Sequence, residues 1–163
     1  MDPLVALGAA IGALLAARKE TVSVAESSAG GLINASLVAV PGASTYYVGG
    51  VVIYNTPSTR GLLGIAAEEM RGIRSASEPF ARLLALRVRE RTGADWGIAE
   101  TGASGPVGNR YGDAPGHSCI AVSGPVDAVI TTETGSTDRE ANMHVFARTA
   151  LDLLESSLRK AAR

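Results

Sequence analysis

Short β-branched runs alternate with longer helical stretches along nearly the whole chain of 163 residues. That alternation confines the fold to a sheet covered by helices. Thr21-Val22-Ser23-Val24 reads as a buried strand. It follows an alanine-rich helix over Leu4–Ala17 that closes on Arg18-Lys19, cations suited to a helix C-terminus. A small-residue turn, Ala25 to Gly31, leads into a helix from Leu32 to about Val40, which Pro41-Gly42 terminates. Tyr46–Tyr54 predicts a strand or a hairpin bent at Gly49-Gly50, and Pro57 opens a short helix toward Leu63. Ser75 to Glu78 and Thr137 to Glu140 each have the spacing of a capping box. Between the two helices they begin lie a strand at Trp96–Glu100 and a pair at Ser118–Ser123 and Asp127–Thr132, turned at Gly124-Pro125. The last helix carries Met143, Phe146, Ala147, Ala150, Leu151, Leu154 and Leu158 as one apolar stripe. The expectation is a single domain, residues 1–163: a three-layer α/β/α sandwich on a mixed, mostly parallel sheet.

Composition narrows the chemistry. A net charge of −1 argues against a broad nucleic-acid-binding face. One cysteine, Cys119, and two histidines argue against a metal centre, so neither metal nor cofactor is expected. The apolar run of 14 residues at Leu4–Ala17 is shorter than the roughly 20 that span a bilayer, and Asp2 precedes it where a signal peptide has basic residues. A cytoplasmic protein is expected. Thirteen of the fifteen basic residues are arginine, and no lysine occurs between Lys19 and Lys160.

In open α/β sheets, ligands bind at the carboxyl ends of strands, where turns and helix N-termini present free N–H groups. Three segments fall there: Glu26–Gly31, Thr101–Pro106 and Gly135–Arg139. Their amides and hydroxyls suit a phosphate or a carboxylate. Arg139 lies in a first helical turn, a place unfavourable to a cation unless an anion is near. That anion is either Asp138 or Glu140, or else a bound phosphate.

These residues carry a resemblance. Ala25-Glu26-Ser27-Ser28-Ala29-Gly30-Gly31 is similar to the A-E-S-C-T-G-G motif of the CinA carboxy-terminal domain family, which includes the nicotinamide-nucleotide amidases. The likeness continues through Val40–Ser44, Gly49–Asn55, Leu63-Gly64-Ile65, Ala76-Ser77-Glu78 and Thr101–Pro106, and closes at Gly135–Arg139. It implies hydrolysis of the amide of nicotinamide mononucleotide, without metal, in a stand-alone form of the domain. Ser44 takes the position of the nucleophile and Tyr54 that of the tyrosine after the Gly-Gly-Val strand. Ser27 and Thr101 fall where active members hold substrate or orient catalytic groups, as does Arg139. Glu26, Gly30, Gly31, Gly102 and Gly105 belong to the implied binding loops.

The chain departs from that pattern in the same motifs. The family's lysine base falls on Thr59, and the adjacent Arg60 stays a cation at neutral pH and accepts no proton. Ser28 and Ala29 replace a cysteine and a threonine, and Glu100 stands where the strand is usually apolar. Two substitutes for the base are open: His117, or a carboxylate pair of Glu26 and Glu100 with one raised pKa. Two functions follow. One is an amidase with altered machinery. The other is a nucleotide-binding or competence-associated interaction domain that has lost the chemistry. The amidase and the binding domain take a small nucleotide as partner, whereas the interaction domain needs a protein partner; none needs direct nucleic acid or a membrane, and the family commonly self-associates.

Overall fold

A computed structural model describes residues 1–161. Asp2 caps α1 (Pro3–Arg18), and Lys19 ends it in a left-handed conformation. β1 (Val22–Glu26), α2 (Leu32–Val38) and β2 (Tyr47–Val52) follow, with a 3₁₀ turn at Ala43–Thr45 before β2. Next come α3 (Thr56–Leu63), a 3₁₀ turn at Ala67–Met70, α4 (Glu78–Thr92) and β3 (Trp96–Ala103). β4 (His117–Ser123), β5 (Ala128–Glu133) and α5 (Arg139–Lys160) complete the domain.

The strands form one sheet in the order β2-β1-β3-β4-β5. β1 is parallel to both β2 and β3, while β4 is antiparallel to β3 and to β5. The sheet is therefore mixed, and β4 alone runs against the rest. Period-two alternation sorts the side chains between two helical layers. Val22, Val24, Trp96, Ile98 and Ile120 pack with α1, α2 and α5, whereas Ala25, Ala99, Cys119 and Ala121 pack with Leu63 and α4. This is the expected three-layer sandwich. Both faces of the central strands are covered, which explains their nearly unbroken runs of apolar and small residues.

Two close approaches depend on glycine. A Cβ on Gly97 would meet the Ala85 carbonyl oxygen at 2.2 Å, so α4 lies on β3 only because that position is bare. A Cβ on Gly8 would meet the Ser36 carbonyl oxygen at the same distance, where α1 crosses α2.

Of the two readings open for Tyr46–Tyr54 the strand holds, and the two expected helix caps are corrected. Tyr46–Tyr54 is not a hairpin but one edge strand, because β2 continues in parallel register beside β1 through Gly49 and Gly50. The helix caps are Ser77 and Asp138, not Ser75 and Thr137. Ala76 has a φ of 54°, so the chain turns there and the Ser77 hydroxyl accepts the Phe80 N–H. The reciprocal capping box lies instead at Asn55 and Ser58, at the start of α3. Among the described residues no helix is long and apolar enough to cross a membrane, and no cluster of His, Cys, Asp or Glu is arranged to hold a metal ion.

Candidate functional site

β1, β2 and β3 run in one direction, so the segments that follow them meet at one edge of the sheet. A cavity of about 700 Å³ opens there, within the size range of small-molecule sites. Ser27 and Ser28 supply one wall, at the turn from β1 to α2. Tyr54, Thr59 and Arg60 come from the end of β2 and from α3, and Phe80 from α4. The end of β3 and its glycine-rich loop add Thr101 to Gly105 and Val107 to Tyr111, and Arg139 closes the mouth from α5.

Arg139 reaches across this mouth. Its Nη1 donates to the Gly105 carbonyl and its Nη2 to the Tyr54 hydroxyl, each at 2.6 Å. Neither partner is charged. Asp138 is occupied in capping α5, its carboxylate accepting the Ala141 N–H. The guanidinium thus adds a full positive charge to the N-terminal end of the α5 dipole, beside the cavity. Arg60 and Arg110 line the same space.

The glycine-rich loop is ordered by its own polar contacts. Asn109 Oδ1 accepts the N–H groups of Tyr111 and Asp113. Asp113 in turn accepts two bonds from Arg74, at 2.7 and 3.2 Å, which hold its carboxyl below the usual range. Two guanidiniums lie over the Tyr111 ring, Arg74 at 5.2 Å and Arg110 at 5.0 Å from its centroid. Neither Arg110 nor Tyr111 follows from the sequence reading. The signal available was a cationic and an aromatic residue set among glycines at a sheet edge.

Of the residues singled out from sequence, Ser27, Tyr54, Thr59, Thr101, Gly102, Gly105 and Arg139 all line the cavity. Thr101 also anchors α4, since its hydroxyl accepts the Ala76 N–H at 3.1 Å. The Thr59 hydroxyl is spent on the Asn55 carbonyl one turn back and supplies no base. Gly30 and Gly31 shape the β1–α2 turn with positive φ and do not line the cavity.

Ser44 is not brought to this cavity. It lies exposed in the 3₁₀ turn before β2, whereas Tyr54 lies beyond the other end of that strand. Six residues of extended chain separate the two ends, about 20 Å. Within one chain, the position that resembles the family nucleophile therefore stands at the opposite edge of the sheet.

Neither proposed substitute base survives in its sequence-derived form. The register that pairs Ala25 with Ala99 makes Glu26 and Glu100 the next residues along their strands, and both are fully buried. They do not share a proton, because each has its own donors. Glu26 accepts the N–H groups of Ile33 and Asn34 and the Asn34 side-chain amide, and so caps α2. Glu100 turns to the β1–α2 turn and β4: its Oε2 accepts the N–H groups of Ser27 (3.2 Å) and Ala29 (2.8 Å). Its Oε1 accepts the hydroxyls of Ser28 and, at 2.8 Å, Ser118. Burial drives its pKa upward against the pull of these four donors.

His117 lies outside the cavity and pins the start of α4 to the sheet. Its Nδ1 meets the Glu133 carboxylate, and its Nε2 donates to the Ala76 carbonyl at 2.8 Å. Asp113 Oδ2 is 3.6 Å from Nε2. Burial opposes the ring's charge, but Glu133, the Ala76 carbonyl and Asp113 outweigh it and raise the pKa. With both nitrogens facing acceptors, the ring is a donor and not a base. A raised folded pKa contributes stability that is complete below the unfolded value of about 6.5 and is lost as pH climbs through the folded value. His117→Gln is accordingly expected to lower the melting temperature more at about pH 6 than at about pH 8.5. An equal loss at both values would show that the ring contributes packing alone.

An open α/β/α sandwich has here a cavity at the carboxyl ends of parallel strands, faced by an arginine on a helix N-terminus, the place and the charge that suit an anion in α/β domains. The family model described as the CinA C-terminal domain matches residues 5–158, and the chain belongs to that family. It is 36% identical over 163 aligned residues to a CinA-like protein of Nostoc sp., covering 93% of this chain and 38% of that protein. A CinA-like protein of Gloeobacter violaceus is 39% identical over 154 residues, covering 93% of this chain and 36% of the relative. The chain therefore spans well under half the length of these relatives.

Solved structures agree in fold. A competence-damaged protein (CinA) superfamily protein of Klebsiella pneumoniae superposes with a TM-score of 0.90 at 26% identity, covering 97% of this chain and 99% of that one. The competence/damage inducible protein CihA of Agrobacterium tumefaciens gives 0.86 at 27%, covering 96% of each.

Proposed function

We propose that this domain binds a pyridine mononucleotide of the nicotinamide mononucleotide type in the carboxyl-edge cavity and hydrolyses its carboxamide to a carboxylate and ammonia. The observation that carries this reading is Arg139, a cation whose partners are both neutral, at the mouth of a cavity that Arg60 and Arg110 also line. Such a trio suits a phosphate, and the hydroxyls of Ser27, Ser28 and Thr101 deeper in the cavity suit a polar carbonyl group. Tyr54 and Tyr111 flank the space with aromatic surface for a flat ring.

The test is calorimetric titration with nicotinamide mononucleotide, alongside an assay for ammonia release. Losing a charge-assisted hydrogen bond of about 1.5–3 kcal/mol in Arg139→Gln is expected to weaken binding roughly 10- to 100-fold. Absence of binding to the unaltered protein would overturn the reading. A second reading, a nucleotide-binding domain without turnover, is favoured by one observation: Thr59 is committed to Asn55, so no proton acceptor occupies the position of the family lysine. Binding without ammonia release would select that reading.

A further inference from the structure

Two of this chain's departures from the family pattern touch each other. Ser28 stands where the motif has cysteine, and Glu100 where the strand is usually apolar; they are 72 residues apart in sequence, and the Ser28 hydroxyl donates to Glu100 Oε1. Ser28 lines the cavity and is 5% exposed, while Glu100 behind it is fully buried. Four donors hold the carboxylate in place: the Ser28 and Ser118 hydroxyls on Oε1, and the Ser27 and Ala29 amides on Oε2. Two amides on one oxygen require that oxygen to be unprotonated, so any proton the group takes up resides on Oε1, against Ser28. A third hydroxyl completes the arrangement. Ser104 lines the same cavity, and its Oγ is buried without a hydrogen-bond partner among the described residues. A buried hydroxyl left open in this way is free to donate to a group that enters the cavity.

We propose that Ser28 is the nucleophile of this cavity and Glu100 its general base, with Ser104 donating to the carbonyl oxygen under attack. The proposal rests on the reading of the cavity as a carboxamide site. Ser28 Oγ bonds to the amide carbon as its proton passes to Glu100 Oε1. The carbon–nitrogen bond then breaks, and the same proton goes to the leaving nitrogen, giving ammonia and an acyl ester on Ser28. Water adds to the ester carbon and gives a proton to Glu100. The ester carbon–oxygen bond breaks, Ser28 regains that proton, and the carboxylic acid product ionises. Burial raises the Glu100 pKa from its ordinary value, the direction that makes a carboxylate a better proton acceptor.

The experiment uses p-nitrophenyl acetate as an acylating probe, with peptide mapping of the intact protein, and nicotinamide mononucleotide as substrate in parallel. The unaltered protein is expected to carry the acetyl group on Ser28, a result that needs no variant and no assumption about folding. In Glu100→Gln the rate of labelling is expected to fall about 10²- to 10⁴-fold, and its rise with pH to disappear. A Glu100 that merely fastened the β1–α2 turn would change the melting temperature and leave the shape of the pH profile alone. Acetylation confined to other residues would overturn the proposal, as would ammonia release that survives Ser28→Ala at the original rate; the latter would leave the amidase reading standing. Acetylation of Ser28 with no ammonia from nicotinamide mononucleotide would support the pair and overturn the substrate. Neither label nor ammonia would overturn both.

Discussion

Phe146→Ala is expected to lower the unfolding free energy by about 3–5 kcal/mol, the range for a large aromatic removed from a closed core. The chain has only two phenylalanines, and each layer has one: Phe146 with α1, α2 and α5, and Phe80 with α4. Phe146 is fully buried in the core cluster that also holds Ile11, Leu15, Val24, Ile98 and Ile120. Its helical neighbours on the stripe, Ala147 and Ala150, are small and have no side chain that can swing into the space left behind. The cavity therefore persists and its cost adds to the lost transfer energy. Because domains of this size are stable by only about 5–15 kcal/mol, the variant should unfold at much lower urea concentration. A loss below about 1 kcal/mol would show that the α5 layer collapses onto the gap.

Glu100→Leu is the second large effect, expected to cost about 2–4 kcal/mol, while Glu100→Gln stays within about 1 kcal/mol of the unaltered protein. The reason is the fate of the donors. Leucine leaves the Ser27 and Ala29 amides without an acceptor in a buried turn, and the backbone there cannot rotate to find another. The Ser28 and Ser118 hydroxyls can rotate, and Ser118 already faces the Thr101 carbonyl at 3.4 Å. Relief of the buried charge offsets part of the loss. Glutamine keeps one oxygen for the two amides and offers its NH₂ to hydroxyls that can turn to accept.

The pH dependence separates the two terms. A carboxyl whose folded pKa is raised makes stability fall as pH rises from the unfolded value, about 4.3, through the folded one. Glu100→Gln removes that fall, so its stability relative to the unaltered protein should improve as pH increases across that window. Thermal melts of the three proteins at several pH values decide the point. A glutamine variant as unstable as the leucine one would mean that the carboxylate charge itself holds the turn.

Much of the fold was legible in the chain. Alternating β-branched runs and apolar stripes located the strands and helices because burial imposes their periods on any chain of this class. Boundaries moved where local backbone geometry intervened: Ala76 at positive φ shifted the α4 cap from Ser75 to Ser77. The hairpin alternative for Tyr46–Tyr54 failed because nothing in an alternating strand shows whether its neighbour is itself or a strand twenty residues earlier. The site was legible only in part. Ser27, Thr101 and Arg139 could be placed at one sheet edge because their segments follow strands or open a helix, whereas Tyr54 was legible only through the family resemblance.

By itself, the sequence determined the class of fold, the family, and the absence of a lysine between residues 19 and 160. Tertiary structure alone decided which hydroxyl faces the cavity. Ser44 and Ser28 both sit in small-residue turns, but one precedes its strand and the other follows its own, so strand direction sends them to opposite edges. Glu26 and Glu100 lie at neighbouring strand ends on one face, yet one caps α2 and the other takes Ser28. Periodicity states which face a side chain joins. Which loops meet there depends on strand order, and that is set by contacts between residues far apart in the chain.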